Sequence, residues 1–350
     1  MIKFGDKEIK NYGEPYIIAE IGANHNGDIE LAKKMIDVAK EKGADCVKFQ
    51  SWSKNSIFAK KKYEDNYFLE DDYRDRDDHN LESIIDEYSI NKKEQRILKE
   101  YCDKKSIGFA STPFSKEEVD FLVDELDVNF IKIASMDLNN YPFLEYIAQK
   151  GKPIVLSTGL SKLSEIEKGI NTILNQGNED LILLHCVSNY PVKYEEVNLN
   201  NIDMLRDLFD VPVGFSDHTL GYSVPLLSVA KGVCLIEKHF TLDKNMEGWD
   251  HEVSANPEEL EVIAKESKKI YKSLGSYKRV VNESDEKIKE FRRSIVLNRD
   301  MEAGEIIKKE DLEFKRPGTG IKPGELKYVV GRQLENDKDY DELLKWDDLV

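Results

Sequence analysis

Apolar runs alternate with longer amphipathic stretches from residue 16 to residue 275. Continuous apolar runs of this kind are typical of strands that are buried on both faces. The stretches between them, such as 29–43 and 164–177, repeat apolar residues three and four positions apart and end at glycine, which predicts helices. The eight predicted strands cover residues 16–23, 46–52, 107–114, 130–135, 153–159, 181–188, 211–217 and 233–240.

Eight strands, each followed by a helix, predict a parallel sheet that is covered by helices. The number of units fits a closed (β/α)8 barrel of the TIM type, and a doubly wound open sheet is the alternative. A long insertion at 54–92, rich in Lys, Asp, Glu and Tyr, follows the second strand. In a barrel this insertion would lie over the carboxyl ends of the strands, where barrel active sites are found.

A different pattern begins after residue 285. Residues 297–312 and 334–349 resemble each other at an offset of 37, with Pro-Gly pairs at 317–318 and 323–324 between them. The repeat predicts a small β-rich domain at 286–350, which follows a barrel domain at 1–285. Because a unit of this size buries little core alone, we expect it to pack against the barrel or against a partner subunit.

The formal net charge of −17 argues against nucleic acid or an anionic membrane as the main partner, because both bind to basic surfaces. The four cysteines are scattered, which indicates reduced thiols rather than a zinc site or a disulfide framework. The first residues have no apolar core of signal-peptide length, and no uncharged apolar segment is long enough to cross a bilayer. We therefore expect a soluble cytoplasmic protein.

Polar residues lie at or near the ends of most predicted strands, where barrel enzymes place catalytic groups. Lys48 and Lys132 stand out, because a buried ammonium group is costly unless it is paired. Together with the serine hydroxyls at 135, 157 and 216, they could bind a phosphate or a carboxylate. The alternative is that each lysine pairs with a neighbouring carboxylate, such as that of Glu20.

Two histidines, His218 and His239, occupy comparable places at the ends of the last two predicted strands. Neutral imidazoles on adjacent strands can fill two positions of an octahedral metal and leave the others for water and substrate. The alternative is that one or both are core or general-base histidines. His251, in an aromatic and acidic loop, could contact a substrate or only cap the helix that follows.

The polar segments resemble, in order and over nearly all of the chain, those of the N-acetylneuraminate (sialic acid) synthase family. The tail resembles the antifreeze-like (SAF) domain of the same family. The segments that carry the resemblance are AEIGANHNGDIELAKKMIDVAKEKGADCVKFQ, STPFS, IKIAS, NNYP, KPIVLSTG, LLHCVSNYP, GFSDHTLGYSV and IEKHFTLDK in the barrel and KRPGTGIKP in the tail.

This resemblance implies an enzyme that condenses phosphoenolpyruvate with N-acetylmannosamine or a related N-acyl hexosamine. The product is a nine-carbon 2-keto sugar acid, phosphate is released, and Mn2+ or Mg2+ is required. The resemblance also implies a domain-swapped homodimer, in which Arg316 of the SAF domain enters the partner's active site and holds the N-acyl group.

Residue roles follow from the same resemblance. His218 and His239 bind the metal and are catalytic, together with the carboxylate of Glu20. The positions that match the phosphoenolpyruvate site are Lys48, Thr112, Lys132, Ser135, Ser157 and Ser216. The positions that match the sugar side are Gln50, Tyr190, Asp250 and Arg316.

The chain departs from the family pattern at three places. Ser188 stands where these synthases usually carry Asn, Met136-Asp137 replaces Gly-Glu after Ser135, and Trp249 replaces Pro in Gly248–Asp250. We assign all three departures to the acceptor side, so they bear on the choice of sugar and not on the reaction class. The alternative acceptor is a 6-deoxy-2,4-diacetamido hexose, which would give legionaminate or pseudaminate.

Two functions of other classes remain open. One is another metal-dependent phosphoenolpyruvate synthase on the same barrel, such as a 3-deoxy-sugar-acid synthase, although such enzymes lack the SAF tail. The other is a non-catalytic carbohydrate-binding protein, which would have little use for two buried lysines, a carboxylate and paired histidines in one place.

Overall fold

The computed structural model describes residues 2–64 and 81–350. The chain divides into two compact units, Met1–Gly275 and Ser276–Val350. The middle of the predicted insertion, residues 65–80, lies outside the described residues. Its flanks form three helices. The third packs through Leu81, Ile84 and Ile85 against Ala23 and Trp52, which follow the first two barrel strands.

The first unit is a (β/α)8 barrel, and all eight predicted runs contain a strand. Its strands are β3 Tyr16–Gly22, β4 Cys46–Gln50, β5 Gly108–Thr112, β6 Ile131–Ile133, β7 Ile154–Ser157, β8 Leu181–Cys186, β9 Val213–Asp217 and β10 Leu235–His239. They are parallel and lie in the order β5-β4-β3-β10-β9-β8-β7-β6. The two ends of this order, β5 and β6, are in contact, so the sheet closes and the open doubly wound alternative is wrong.

Helices separate the strands as the apolar spacing predicts. Those of the barrel unit are α1 Ile29–Glu41, α2 Lys54–Ile57, α3 Lys60–Glu64, α4 Leu81–Tyr88, α5 Lys92–Lys105, α6 Lys116–Asp120, α7 Tyr141–Ala148, α8 Leu163–Leu174, α9 Tyr194–Val197, α10 Asn200–Phe209, α11 Ser223–Ala230 and α12 Pro257–Leu274. A π-helical turn, Phe121–Glu125, continues α6, and Ser135–Asp137 forms a 3-10 turn after β6. Among the described helices, none combines the length and the apolar character that a membrane span requires.

The barrel has two apolar layers because side chains alternate along each strand. On β3, Ile17, Ala19 and Ile21 face the helices and join the large outer core. Ile18, between them, joins a smaller cluster inside the barrel. Glu20 continues the inward row toward the carboxyl end, so the barrel interior changes from apolar to charged along the strand direction.

A β-hairpin closes the amino-terminal end of the barrel, and the sequence pattern did not indicate it. It consists of β1 Ile2–Phe4 and β2 Lys7–Ile9, which are antiparallel. Phe4 stacks on Phe130 with ring centroids 4.2 Å apart and meets Tyr16 edge-on at 5.3 Å. The hairpin therefore completes the inner apolar cluster from below.

The second unit is short-stranded and has a core of its own. Its regular elements are α13 Asp285–Phe291, β11 Ser294–Leu297, β12 Leu312–Lys315 and 3-10 turns at Lys309–Asp311, Pro323–Tyr328 and Trp346–Asp348. Ten buried apolar residues form its core, among them Ile295, Ile307 and Leu344. The expectation that this unit buries little core alone is therefore wrong, because residues from both halves of the repeat pack against each other.

We predict that Phe4→Ala lowers the free energy of unfolding by about 3 kcal/mol, because it removes a buried ring and leaves a cavity at the closed end of the barrel. The measurement is urea unfolding of the full chain. Leu227→Ala is the control, since that side chain is 60% exposed on α11 and its loss should change stability by no more than about 0.5 kcal/mol. A loss below about 1 kcal/mol for Phe4→Ala would show that the hairpin does not complete the core.

Candidate functional site

Charged and polar side chains fill the carboxyl end of the barrel interior. They come from seven of the eight strands or from the residues directly after them, so the closed sheet brings distant parts of the chain together. The buried members of this group are Glu20, Lys48, Thr112, Lys132, Ser157, Ser216, His218, Glu237 and His239.

Lys48 on β4 lies between two carboxylates. Its Nζ is 2.7 Å from Glu20 Oε2 and 3.7 Å from Glu237 Oε2, and it donates a hydrogen bond to Thr112 Oγ1 at 3.1 Å. The pairing with Glu20, proposed as the alternative to an anion site, therefore exists. It does not exclude anion binding, because a second lysine, Lys132, lies beside the same Glu237.

Lys132 on β6 reaches Glu237 from the opposite side. Its Nζ donates to Ser157 Oγ at 2.7 Å and lies 3.8 Å from Glu237 Oε1. Ser216 Oγ donates to the same oxygen of Glu237 at 2.9 Å. Glu237 is thus the carboxylate that both lysines share.

Burial and the lysines drive the pKa values of the two carboxyl groups apart. Burial raises the pKa of Glu20 above its ordinary value, although Lys48 acts in the opposite direction. Burial also acts to raise the pKa of Glu237, but Lys132 and Lys48 outweigh it, so this pKa lies below its ordinary value. Of the two carboxyl groups, Glu20 therefore binds a proton more readily than Glu237.

The pKa values of the two lysines are also shifted in opposite directions. Burial acts to lower the pKa of Lys48, but Glu20 and Glu237 reverse the effect and raise it. For Lys132 burial prevails, and its pKa is lowered. Glu237 lies 3.8 Å from Lys132 Nζ and only partly offsets the effect of burial, so an anion bound beside Lys132 would stabilise its charge.

A cradle of hydroxyl groups lies around Gly159, after β7. Gly159 N donates to Ser135 Oγ at 3.1 Å. A Cβ at Gly159 would lie 2.7 Å from Ser135 Oγ and 2.4 Å from Ser188 Oγ, so only glycine fits between them. Ser188 therefore lies close to Ser135, which the resemblance assigns to phosphoenolpyruvate. The assignment of Ser188 to the acceptor side stays a prediction.

The two imidazoles face each other beside this charged cluster. The ring centroids of His218 and His239 are 5.4 Å apart. His218 Nδ1 donates to Val187 O at 2.7 Å, which leaves its Nε2 lone pair for another partner. His239 Nδ1 is buried without a hydrogen bond to the described residues and lies 3.6 Å from Asp250 Oδ2.

These two residues fit a divalent cation as a pair of nitrogen ligands. Burial, with help from His218 and Lys48, lowers the pKa of His239 well below its usual range, so the ring is neutral, the form that binds metals. Burial opposes the charge on His218, but the adjacent Cys186 raises its pKa, so a metal would compete with a proton there. Within residues 2–64 and 81–350, no three His, Cys, Asp or Glu side chains form a ready metal site. Water and substrate would supply the other ligands.

Gln50, Tyr190 and Asp250 lie beside the imidazoles or beside Glu20. Gln50 Nε2 donates to Glu20 Oε1 at 3.0 Å. The Tyr190 ring lies 4.1 Å from His218 and 5.7 Å from His239 between centroids. The structure therefore brings all three to the predicted metal and catalytic residues.

The loop that carries Asp250 is tied to the loop after β3. Asp250 N donates to Asn24 Oδ1 at 3.2 Å, and Asn26 Nδ2 donates to Glu247 O at 2.7 Å. His251 is buried and bonded at both ring nitrogens, to Thr241 Oγ1 at 2.6 Å and to Asn26 Oδ1 at 3.1 Å. His251 therefore fixes this loop and does not cap α12, whose cap is Asn256.

Arg316 belongs to the second unit. It follows β12 directly, and its guanidinium carbon lies 4.9 Å from the centroid of the Phe291 ring, in the same unit. Its role toward the N-acyl group stays a prediction.

Glu237 was not among the site residues predicted from the sequence. A signal was available, because Glu237 and His239 are two residues apart on one strand and so face the same side of the sheet. Cys186 was missed in the same way. Its Sγ lies 3.9 Å from His218 Nδ1 and 3.8 Å from Ser135 Oγ, at the end of β8.

The buried His25, after β3, makes stability depend on pH. Burial lowers its pKa to about 4, while in the unfolded chain an imidazole titrates near about 6.5. Between these values the unfolded chain binds more protons, so stability falls as pH falls through this window. From pH 7 to pH 5 we expect His25 to account for a loss of about 2 kcal/mol.

The measurement is urea unfolding at pH 7 and pH 5 for the wild type and for His25→Asn. Asparagine keeps an acceptor for the Gly27 N–H, which donates to His25 Nδ1 at 3.0 Å. The variant should lose less stability between the two pH values. An equal loss in both proteins would contradict the assignment.

Comparison with known proteins shows which family this chain belongs to. A family model for the NeuB family matches residues 35–279, and a model for the SAF domain matches residues 292–350. In fold, the chain is similar to the crystal structure of N-acetylneuraminic acid (sialic acid) synthetase from Leptospira borgpetersenii. The TM-score is 0.70 and the identity 37%, over 82% of this chain and 94% of that one.

Two protein relatives match over nearly their whole length. An uncharacterized protein of Methanocaldococcus jannaschii is 44% identical over 100% of this chain and 98% of its own. An N,N'-diacetyllegionaminic acid synthase of Legionella pneumophila is 39% identical over 95% of this chain and 94% of its own. This chain belongs to the NeuB family, whose members named among its relatives are sialic, legionaminic and pseudaminic acid synthases, and it ends in a SAF domain.

Proposed function

We propose that this protein condenses phosphoenolpyruvate with an N-acyl hexosamine of the mannosamine type, forming a nine-carbon 2-keto sugar acid and phosphate. One observation carries the proposal. Two buried lysines that share a carboxylate lie within the same barrel mouth as two facing imidazoles. The first group suits a small substrate with two anionic groups, a phosphate and a carboxylate, and the second suits a metal that activates an aldehyde.

Phosphoenolpyruvate would lie between the lysines and the hydroxyl cradle. Lys48 and Lys132 would contact its phosphate and carboxylate, and the hydroxyls of Thr112, Ser135, Ser157 and Ser216 would donate to the same oxygens. Both lysines are already held in place by buried partners, at Thr112 and Ser157. Little reorganisation is then needed when the anion binds.

His218 and His239 would hold Mn2+ or Mg2+, with Asp250 close to His239. When bound, such an ion supplies Lewis-acid polarisation of the acceptor's aldehyde oxygen. The neutral state of His239 and the bond from His218 Nδ1 to Val187 O keep one nitrogen of each ring available for this role.

Glu20 would act as the general base when water adds in the second half of the reaction. Carbon 3 of phosphoenolpyruvate bonds to the aldehyde carbon, and positive charge develops at carbon 2. The carbonyl π bond breaks at the same time, and the aldehyde oxygen becomes an alkoxide. Glu20, as carboxylate, takes a proton from the water that adds at carbon 2 and returns this proton to the alkoxide oxygen. The C–O bond between carbon 2 and the phosphate then breaks as carbon 2 becomes a ketone, and the remaining hydroxyl proton leaves with the phosphate. The raised pKa of Glu20 suits its role as base, because burial makes this carboxylate a stronger base than an exposed carboxylate.

The acceptor side favours a second candidate within the same reaction. Trp249 packs near Trp52, with ring centroids 6.0 Å apart, and edge-on to Tyr88 at 6.1 Å, directly before Asp250. This aromatic surface suits an acceptor whose carbon 6 is a methyl group, as in a 6-deoxy-2,4-diacetamido hexose. The legionaminic acid synthase among the relatives is consistent with that acceptor.

We further propose a homodimer in which the SAF unit of one subunit supplies Arg316 to the active site of the other. The guanidinium would donate to the carbonyl oxygen of the N-acyl group. Within its own unit, Arg316 is oriented by the ring of Phe291.

The test is phosphate release from phosphoenolpyruvate with Mn2+ and each acceptor in turn. Turnover with N-acetylmannosamine alone would identify a sialate synthase, and turnover with a diacetamido sugar alone would identify the second candidate. His239→Ala should lower the rate at least a hundredfold with every acceptor, because one metal ligand is lost. No release with any of these sugars from metal-loaded protein would contradict the proposal and favour another barrel synthase or a binding protein.

Ser188→Asn should raise the KM for phosphoenolpyruvate several-fold and leave the ratio of rates between acceptors unchanged. The larger side chain enters the cradle beside Gly159 and Ser135. Ser135 matches the phosphoenolpyruvate site by resemblance, so we propose that this cradle lies on that side. Steady-state kinetics with two acceptors measures both quantities. Asn189→Ala, at the exposed neighbouring position, is the control. A changed acceptor ratio with unchanged KM would return Ser188 to the acceptor side.

A further inference from the structure

A fully buried ion pair lies behind the two imidazoles. Lys238 on β10 and Asp217 on β9 stand directly opposite each other in the sheet, and Lys238 Nζ is 2.5 Å from Asp217 Oδ2. Their side chains are 1% and 0% exposed. Neither residue belongs to the charged cluster inside the barrel.

Strand alternation explains why this pair faces the helices. Ser216 and Glu237 point into the barrel, where they bond to each other. Asp217 and Lys238, one residue later, therefore point outward, and His218 and His239, one residue later again, return to the inside. Each member of the ion pair is thus bonded along the chain to one of the two imidazole residues.

The pair also holds the residue that follows His218. Strand β9 ends at Asp217, so the ladder no longer fixes His218. Asp217 accepts from Thr219 N at 3.0 Å and from Thr219 Oγ1 at 3.0 Å, while Lys238 Nζ donates to Thr219 O. The residues on both sides of His218, Asp217 and Thr219, are thereby bonded to Lys238 on the neighbouring strand.

Stability alone does not account for this arrangement. Taking two charges out of water costs about as much as their attraction returns, and a buried ion pair is often replaced by apolar side chains without loss. The charges instead fix the geometry, because the Lys238 ammonium group bonds to the Asp217 carboxylate and the Thr219 carbonyl at the same time.

We propose that Lys238, Asp217 and Thr219 form a positioning network that sets the separation of His218 and His239 for metal binding. The inference rests on the proposed function, because it takes these two imidazoles as the metal ligands. The three residues touch neither metal nor substrate and act only through the backbone of the imidazole residues.

The experiment is calorimetric titration of metal-free full-length protein with Mn2+. Lys238→Met/Asp217→Leu removes both charges and leaves neither unpaired. The double variant should bind Mn2+ about 10- to 100-fold more weakly, the range found when groups that orient metal ligands are lost. Its kcat should fall, while its KM for phosphoenolpyruvate should not change.

Two control variants separate positioning from stability. Phe4→Ala lowers stability at the far end of the barrel, and Lys42→Met/Glu261→Leu removes an ion pair between α12 and Lys42, the residue after α1. Both should bind Mn2+ as the wild type does. Thr219→Val removes a single hydroxyl and should weaken binding several-fold, whereas Thr219→Ser should restore it, which covers the case that the double variant does not fold.

The outcomes are distinct. Wild-type Mn2+ affinity in both the folded double variant and Thr219→Val would overturn the positioning network alone. Failure of the wild type itself to bind Mn2+ would overturn the proposed metal centre, and the inference with it. Equal weakening in the control variants would assign the effect to stability and overturn the network.

Discussion

Two ammonium groups lie inside a closed barrel, and the arrangement of the whole rim follows from the need to pair them. Lys48 and Lys132 are both buried, and each would lose its charge without a counter-ion. Glu237 lies between them and is within ion-pair distance of both, while Glu20 pairs with Lys48. The unequal sharing separates the pKa values of the two carboxyl groups, and so one cluster provides a fixed anion and a group that can exchange a proton.

Strand β10 shows how much one strand can contribute in such a barrel. Its inward face carries Glu237 and His239, which serve the anion site and the imidazole pair. Its outward face carries Lys238, which is tied to β9 by an ion pair. Because successive side chains alternate, a strand of five residues can supply ligands on one side and the support of their geometry on the other.

The C-terminal unit shows a repeat that is structural as well as sequential. The turns Lys309–Asp311 and Trp346–Asp348 occupy equivalent positions, and each is closed by an aspartate that accepts from a backbone N–H, of Lys308 at 2.9 Å and of Lys345 at 2.7 Å. Leu334 and Leu349 meet across a bridge between strand-like segments. The halves bury each other's apolar residues, which is why so short a unit has a core.

The sequence by itself determined the eight strands, the intervening helices and the order of polar residues at the strand ends, because hydrophobic periodicity is a local property that survives without tertiary contacts. It did not show the hairpin at 2–9, whose three-residue strands are too short for any period. The sequence also did not determine which charged side chains pair with each other. Lys48, Lys132 and Glu237 are far apart in the sequence, and only closure of the sheet decided which carboxylate each lysine meets. The same closure placed Ser188 beside Ser135 and the Lys238–Asp217 pair behind the imidazoles, since distances across strands depend on register and barrel curvature, which no single segment of the sequence encodes.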